Sequence, residues 1–254
     1  MNLSSARFDA GRKSAVAGWT VLEFEQVDST NLVAATLPPW TAVRAETQTA
    51  GRGRFQRSWV SNEGGLWLSA VVPAPNPHSR ELLPLAAGLA AIETLRGLGV
   101  KHARLRWPND VMIGEQKLAG LLIDTFQPGT AVVGLGVNVR NQPAVIETTL
   151  ASTAARLADL IDPCPSLSTL TEALLQSIRE VVQPLQKSRL TELCPRINAL
   201  WDRSRPVKLD LDGVEVTGSF CGVDECGRLL FSDASRHIHS FAPHQVRSLR
   251  EISS

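Results

Sequence analysis

The chain has 254 residues, about 1.7 times a ~150-residue domain, so one large domain or two unequal ones fit. Twenty-six Lys and Arg against 25 Asp and Glu leave a net charge of +1, which argues against nucleic acid held by a broad positive field. With 43% hydrophobic and 20% charged residues, disordered and collagen-like chains are excluded. No apolar run approaches the ~18 residues needed to span a membrane. Residues 1–19 carry Arg7, Asp9, Arg12 and Lys13 and lack an apolar signal core; they read as a flexible tail on a cytoplasmic protein.

Taken in chain order, Thr20–Glu25 alternates and predicts a strand. Asp28-Ser29-Thr30-Asn31 precedes Leu32–Ala35 as a cap precedes a helix, which Pro38-Pro39 stops. Thr41–Glu46 is a second strand, and Gln48–Ser58 is a polar, glycine-bearing stretch. Leu66–Val72 is a β run ended by Pro73. Glu81–Leu98 has helical spacing with Gly97 and Gly99 as stops. Ala103–Trp107, Lys117–Asp124 and Ala131–Val139 predict strands apolar enough for a sheet covered by helices. From Ala151 to Asp202 the period is helical. Thr169–Glu172 has capping-box spacing, and Pro163, Pro165, Pro184 and Pro195 predict a division into short helices. After Arg205-Pro206 the period returns to two, with Asp212-Gly213 as a hairpin turn. The expected organisation is a tail over 1–19, an α+β domain over 20–203 and a small β domain over 204–254.

Several short segments bear chemistry. Arg44–Arg57 holds four arginines against one glutamate, +3 in all, around Gly51-Arg52-Gly53-Arg54. Glycines allow close backbone approach, and guanidinium forks suit phosphate and carboxylate; a solvated basic loop is the plain alternative. Arg106-Trp107-Pro108-Asn109-Asp110 is turn chemistry that would also place a carboxylate at a strand end. Lys117 leads an apolar strand, either snorkelling at its edge or presenting a fixed cation. Gly134-Leu135-Gly136-Val137-Asn138 fits a β-bulge or a close ligand approach. Asp28–Asn31 fits a helix cap or a cradle for a neutral heterocycle. Cys221, Cys226, His237 and His239 have the donor types for zinc. The two cysteines are five positions apart, however, which misses the usual loop, so reduced thiols are the favoured reading.

In this order, Asp28–Asn31, Gln48–Arg54, Trp59, Gly65–Ser69, Arg106–Asp110, Lys117–Gly120 and Gly134–Asn138 resemble the biotin–protein ligases. The resemblance runs from Val27 to Asn138 and resumes over Arg205–Arg250, which is similar to the family's SH3-like C-terminal domain. It implies a class II synthetase-like catalytic domain. It also implies an enzyme that activates biotin with ATP as biotinyl-5′-AMP and passes it to a lysine of a biotin carboxyl carrier domain. Ser29, Thr30, Asn31, Gln48, Gly51, Arg52, Gly53, Arg54, Lys117 and Gly120 would then hold biotin. Arg54, Arg57, Trp59, Asn109, Asp110, Lys117, Asn138 and Arg250 would contact ATP, with Lys117 and Arg54 catalytic and Asp110 a candidate Mg2+ ligand. Two positions depart from the family pattern: Gln56 stands where glycine is usual, and Arg106 where lysine is usual.

The family includes repressors with an N-terminal DNA-binding domain. About twenty-six residues precede Val27, too few for one, and the segment from Ser204 nets −1, so no nucleic-acid partner is expected. A lipoate or octanoyl transferase and a silent biotin-binding module are the alternatives. Monomer and homodimer fit the sequence equally.

Overall fold

The structure, a computed structural model, describes residues 12–74, 76–143, 154–186, 190–201 and 204–252. An eight-stranded mixed sheet forms its centre. The strands are β1 (Arg12–Val16), β2 (Trp19–Val27), β3 (Thr41–Gln48), β4 (Leu66–Pro73), β5 (Ala103–Arg106), β6 (Asp110–Ile113), β7 (Gln116–Asp124) and β8 (Thr130–Val137). Their order is β1-β2-β3-β4-β8-β7-β6-β5. Strands β2 and β3 pair in parallel around helix α1 (Thr30–Ala34), whereas the other neighbours are antiparallel.

Strand β4 is buried over all but its last residue, because the sheet is covered on both faces there. Leu66, Leu68, Ala70 and Val72 join the core formed with helices α2 (Pro77–Gly97) and α3 (Leu167–Gln186). Val71, on the opposite face, packs with Val43, Val132 and Ala34 of α1. Helix α1 is only 5 residues long, so it covers a small part of its face. The open remainder is where the site lies. Helix α2 is buried nearly all round from Leu82 to Leu95, as expected of an apolar helix pressed between layers.

Helix α4 (Leu190–Asn198) leads to a second sheet. Its strands are β9 (Arg205–Leu211), β10 (Val214–Val223), β11 (Leu229–Ser232), β12 (Ile238–Phe241) and β13 (Ser248–Glu251), in the order β12-β11-β10-β9-β13. All neighbours are antiparallel, giving the SH3-like unit. Asp212 and Gly213 both have positive φ, +55° and +94°, the backbone of a two-residue hairpin. Val207, Leu209, Phe220 and Phe231 belong to the same connected core as the first sheet. Asn198 braces the junction by donating to Val223 O at 3.0 Å and accepting from its N–H at 2.9 Å.

The mixed sheet, covering helices and C-terminal β unit are as expected, but local readings need correction. Arg12–Val16 is a strand paired to β2, not part of a flexible tail; residues 1–11 lie outside the described residues. Asp110–Ile113 is an additional strand. Pro184 and Pro195 sit inside α3 and α4 rather than ending them. The cap of α3 is Ser166, whose Oγ accepts the Thr169 N–H at 3.0 Å, rather than Thr169. The expected division at 203/204 adjoins residues 202 and 203, outside the described residues. No helix among the described residues is long and apolar enough to cross a membrane.

The indole N–H of buried Trp107 donates to Gly227 O at 3.1 Å and so ties the two sheets together. Trp107→Phe leaves that carbonyl without its donor. It should cost about 1–3 kcal/mol, seen as a lower urea midpoint; an unchanged midpoint would remove this bond from the account.

Candidate functional site

A cleft of about 840 Å³ opens on the sheet face away from α2 and α3. The strand registers explain how it forms. Asp110 lies opposite Gly120, and Gly120 opposite Gly136, while Gly134 lies opposite both Ser69 and Leu122. Glycine keeps this face low. A Cβ on Gly134 would stand 2.3 Å from Asn31 Oδ1, and one on Gly136 2.6 Å from Trp59 Nε1, so the first contact would displace the polar cluster and the second the indole.

One end of the cleft is neutral and polar. Ser29, Thr30 and Asn31 are buried. Ser29 occupies the N-cap position of α1 but makes no side-chain cap bond, so the expected capping role is not what orders this segment. Instead the Thr30 N–H and Oγ1 both donate to Gln48 Oε1, at 2.8 and 3.1 Å. Ser69 Oγ lies 2.7 Å from Thr30 Oγ1 and 2.6 Å from Asn31 Oδ1. Gln48 Nε2 donates to Ser61 Oγ at 2.7 Å. Each amide is thereby oriented by its neighbours.

The other end is cationic. Asp110 receives Lys117 Nζ on Oδ1 at 2.6 Å and Arg106 Nη2 on Oδ2 at 2.7 Å. Burial pushes the Asp110 carboxyl up, but Lys117 and Arg106 outweigh it and hold the group below its ordinary value. Two cations on one carboxylate leave this trio with a net positive charge. Lys117 Nζ also lies 4.9 Å from the centre of the Trp59 ring. The Trp59 ring lines the cleft, while its buried indole nitrogen lies against Gly136 and has no hydrogen-bond partner among the described residues.

Residues 49–60 leave the sheet and return as a narrow hairpin. The Gly53 N–H donates to Arg57 O at 2.7 Å and the Trp59 N–H to Gly51 O at 2.9 Å. The tip is a tight turn over 54–57 closed by the Arg57 N–H on Arg54 O at 3.2 Å, with positive φ at Phe55 and Gln56. Arg54 reaches the second sheet, where Nη2 donates to Pro243 O and to Val246 O. Burial pushes its guanidinium down to about 10, with Asp110 opposing the fall and Arg57 adding to it.

The cleft gathers most of the expected residues. Ser29, Thr30, Asn31, Gln48, Arg52, Gly53, Arg54, Arg57, Trp59, Asn109, Asp110, Lys117, Gly120, Asn138 and Arg250 all line it. Gly51 does not. It stands behind the wall, where a Cβ would come 2.3 Å from Trp59 O and 2.6 Å from Ser61 Oγ, so it permits the loop's close return. Asn138 is buried and oriented by Asn141, whose Nδ2 donates to Asn138 Oδ1 at 3.1 Å. Asp110 is the carboxylate expected to meet Mg2+, partly through the phosphates of ATP. Both its oxygens hold cations, and among the described residues no group of three or more His, Cys, Asp or Glu is placed to hold a metal. At the Cys221/Cys226 region, His239 Nε2 instead lies 2.7 Å from Asp233 Oδ2.

The sequence reading assigned no role to Ser69, Asp124 or Arg247. Ser69 had a signal, being the one polar residue in the buried run Leu66–Val72. Asp124 and Arg247 had none beyond their charge.

The fold is that of a ligase. Residues 23–138 match the Biotin/lipoate A/B protein ligase family. The bifunctional ligase/repressor BirA of Escherichia coli is 31% identical over 234 residues, 84% of this chain and 69% of that protein. A biotin--[acetyl-CoA-carboxylase] ligase of Mycobacterium tuberculosis is 33% identical over 203 residues, 76% of this chain and 74% of its own. The solved biotin protein ligase of Aquifex aeolicus in complex with biotin and ATP is similar at TM-score 0.78 and 28% identity, covering 91% of this chain and 99% of that one. The chain therefore belongs to the biotin/lipoate A/B protein ligase family, as an enzyme of its biotin–protein ligase group.

Gln56 has φ of +58° and Phe55 of +54°, a region that glycine enters freely and side chains do not. Gln56→Gly should raise stability by up to about 1 kcal/mol after allowing for the freer unfolded chain. An unchanged or lower urea midpoint would show that the Gln56 side chain offsets its own strain.

Proposed function

We propose that the cleft activates biotin as biotinyl-5′-AMP and then transfers the biotinyl group to a lysine of a biotin carboxyl carrier domain. The observation carrying this reading is the division of one cleft into a neutral hydrogen-bonding end and a cationic end. A neutral bicyclic urea needs donors for its carbonyl and acceptors for its N–H groups. The hydroxyls and amides of Ser29, Thr30, Asn31 and Gln48 offer both. A carboxylate and the phosphates it attacks need cations, and Lys117, Arg54, Arg57 and Arg250 line the cleft beyond the cradle.

In the first step a biotin carboxylate oxygen attacks the α-phosphorus of ATP, and pyrophosphate leaves. Lys117 steadies the reacting oxygens. Asp110 takes one of the ammonium's three protons in a hydrogen bond, and the others remain to donate to the substrate. Trp59 and Asn138 line the wall expected to meet the nucleotide. Arg54, with the loop it tips, shields the mixed anhydride from water. In the second step a carrier lysine amine attacks the acyl carbon and AMP leaves. We read residues up to about 203 as the catalytic domain and 204–254 as the SH3-like domain. No repressor role is included, in keeping with the near-zero net charge of the chain.

Biotin-dependent exchange of pyrophosphate into ATP tests this. Exchange with biotin is expected. Exchange with lipoate alone would select the lipoate or octanoyl transferase, and tight biotin binding without exchange a silent module. Lys117→Ala should lower the exchange rate by about 10²–10³-fold, the effect of removing one preorganised donor, and weaken biotin binding far less. Equal losses would assign Lys117 to binding only.

A further inference from the structure

Asp124 closes β7 and stands outside the cleft lining, yet it joins two parts of the site. Its Oδ2 receives Asn31 Nδ2 at 2.8 Å and Arg52 Nη2 at 3.1 Å. These donors come from separate elements. Asn31 belongs to α1 and the neutral cradle, and its Oδ1 receives Ser69 Oγ. Arg52 belongs to the hairpin that carries Arg54.

The Asn31 amide is thus held at both ends. A hydroxyl donates to its oxygen, and an acceptor-only carboxylate takes its nitrogen. Turning the amide over would set its oxygen against the acceptor-only carboxylate and lose that bond. Ser69 Oγ, by contrast, could accept from the turned N–H₂ and send its own proton to Thr30 Oγ1, 2.7 Å away. Asp124 is therefore what fixes the amide's orientation. Arg52 is partly exposed, with a side-chain accessibility of 39%, and such a pair contributes little to stability on its own. Its significance is geometric: the oxygen that fixes the cradle's amide also anchors the first arginine of the loop.

We propose that Asp124 is a positioning residue that couples the head-binding cradle to the arginine loop. It fixes the Asn31 amide in the orientation the biotin head meets, and it holds Arg52 over the same end of the cleft. Disturbing it misaligns the cradle and loosens the loop together. The proposal rests on the biotin-activating reading given above.

The test uses the full chain and the variants Asp124→Asn and Asp124→Glu. Pyrophosphate exchange gives KM for biotin, KM for ATP and kcat. Escape of radiolabelled biotinyl-AMP through a filter gives leakage. Asp124→Asn should raise the biotin KM about tenfold, the scale of a hydrogen bond to a charged group, and speed leakage, with kcat and the ATP KM nearly unchanged. Asp124→Glu keeps an acceptor-only carboxylate and should recover most of both losses. Arg52→Gln should leak alone, and adding it to Asp124→Asn should increase leakage less than additively. A uniform fall in kcat with less folded protein, and Glu no better than Asn, would overturn the proposal in favour of a merely structural role. If the unaltered protein exchanges with biotin and Asp124→Asn matches it in KM and leakage, the coupling alone fails. If the unaltered protein shows no biotin-dependent exchange, the ligase reading fails first and takes the coupling with it.

Discussion

The site depends on one carboxylate holding two cations. Asp110 begins β6, where the register sets it opposite Gly120 and beside Lys117 and Arg106. Three charges gathered this closely, with little water around them, are tolerable only because each has a partner of opposite sign. The arrangement fixes the Lys117 ammonium in place without neutralising it. It also leaves one positive charge uncompensated, which a carboxylate or phosphate entering the cleft would balance.

The neutral end follows a different principle. There the polar atoms satisfy one another through a chain running from Ser61 through Gln48, Thr30, Ser69 and Asn31 to Asp124. A buried polar group without a partner is costly, and this chain lets a polar pocket persist beside an apolar core. It also leaves each hydroxyl and amide limited freedom to adapt. The glycines at 120, 134 and 136 have a complementary part, lowering the sheet surface so that Trp59 and Asn31 can lie against it. Shape comes from the absent side chains and chemistry from the present ones.

What the sequence disclosed followed how local each signal was. Leu66–Val72 and the Asp212-Gly213 hairpin were legible because adjacent residues specify them. Arg12–Val16 was not, because a short edge strand with exposed Arg12 and Lys13 resembles a tail until β2 is seen beside it. Pro184 misled because α3 buries Leu174, Ile178, Val181, Val182 and Leu185 in the core. That packing outweighs the local penalty of proline in a helix. Lys117 and Asp110 stood out through their motifs, but their pairing depends on the β6–β7 register, including the irregularity between Val111 and Met112. Asp124 was invisible for the same reason. A carboxylate ending a strand is ordinary until α1 and the hairpin are seen to meet it.

The β unit illustrates the limit of reading domains by composition. Its change of period marks it as separate, yet its core is continuous with that of the first sheet. It also takes part in the site, because Arg54 donates to the carbonyls of Pro243 and Val246 and Arg250 lines the cleft. Backbone carbonyls are acceptors that no side-chain substitution removes. The loop's second arginine is therefore tied to the path of the 242–246 chain rather than to a side chain there. Asp124 holds the loop's first arginine from the sheet side, and these carbonyls hold the second from the β-unit side. A closing movement over a ligand must release or carry along at least one of these anchors. The β unit thus helps to hold the loop, although it contributes no residue to the neutral cradle.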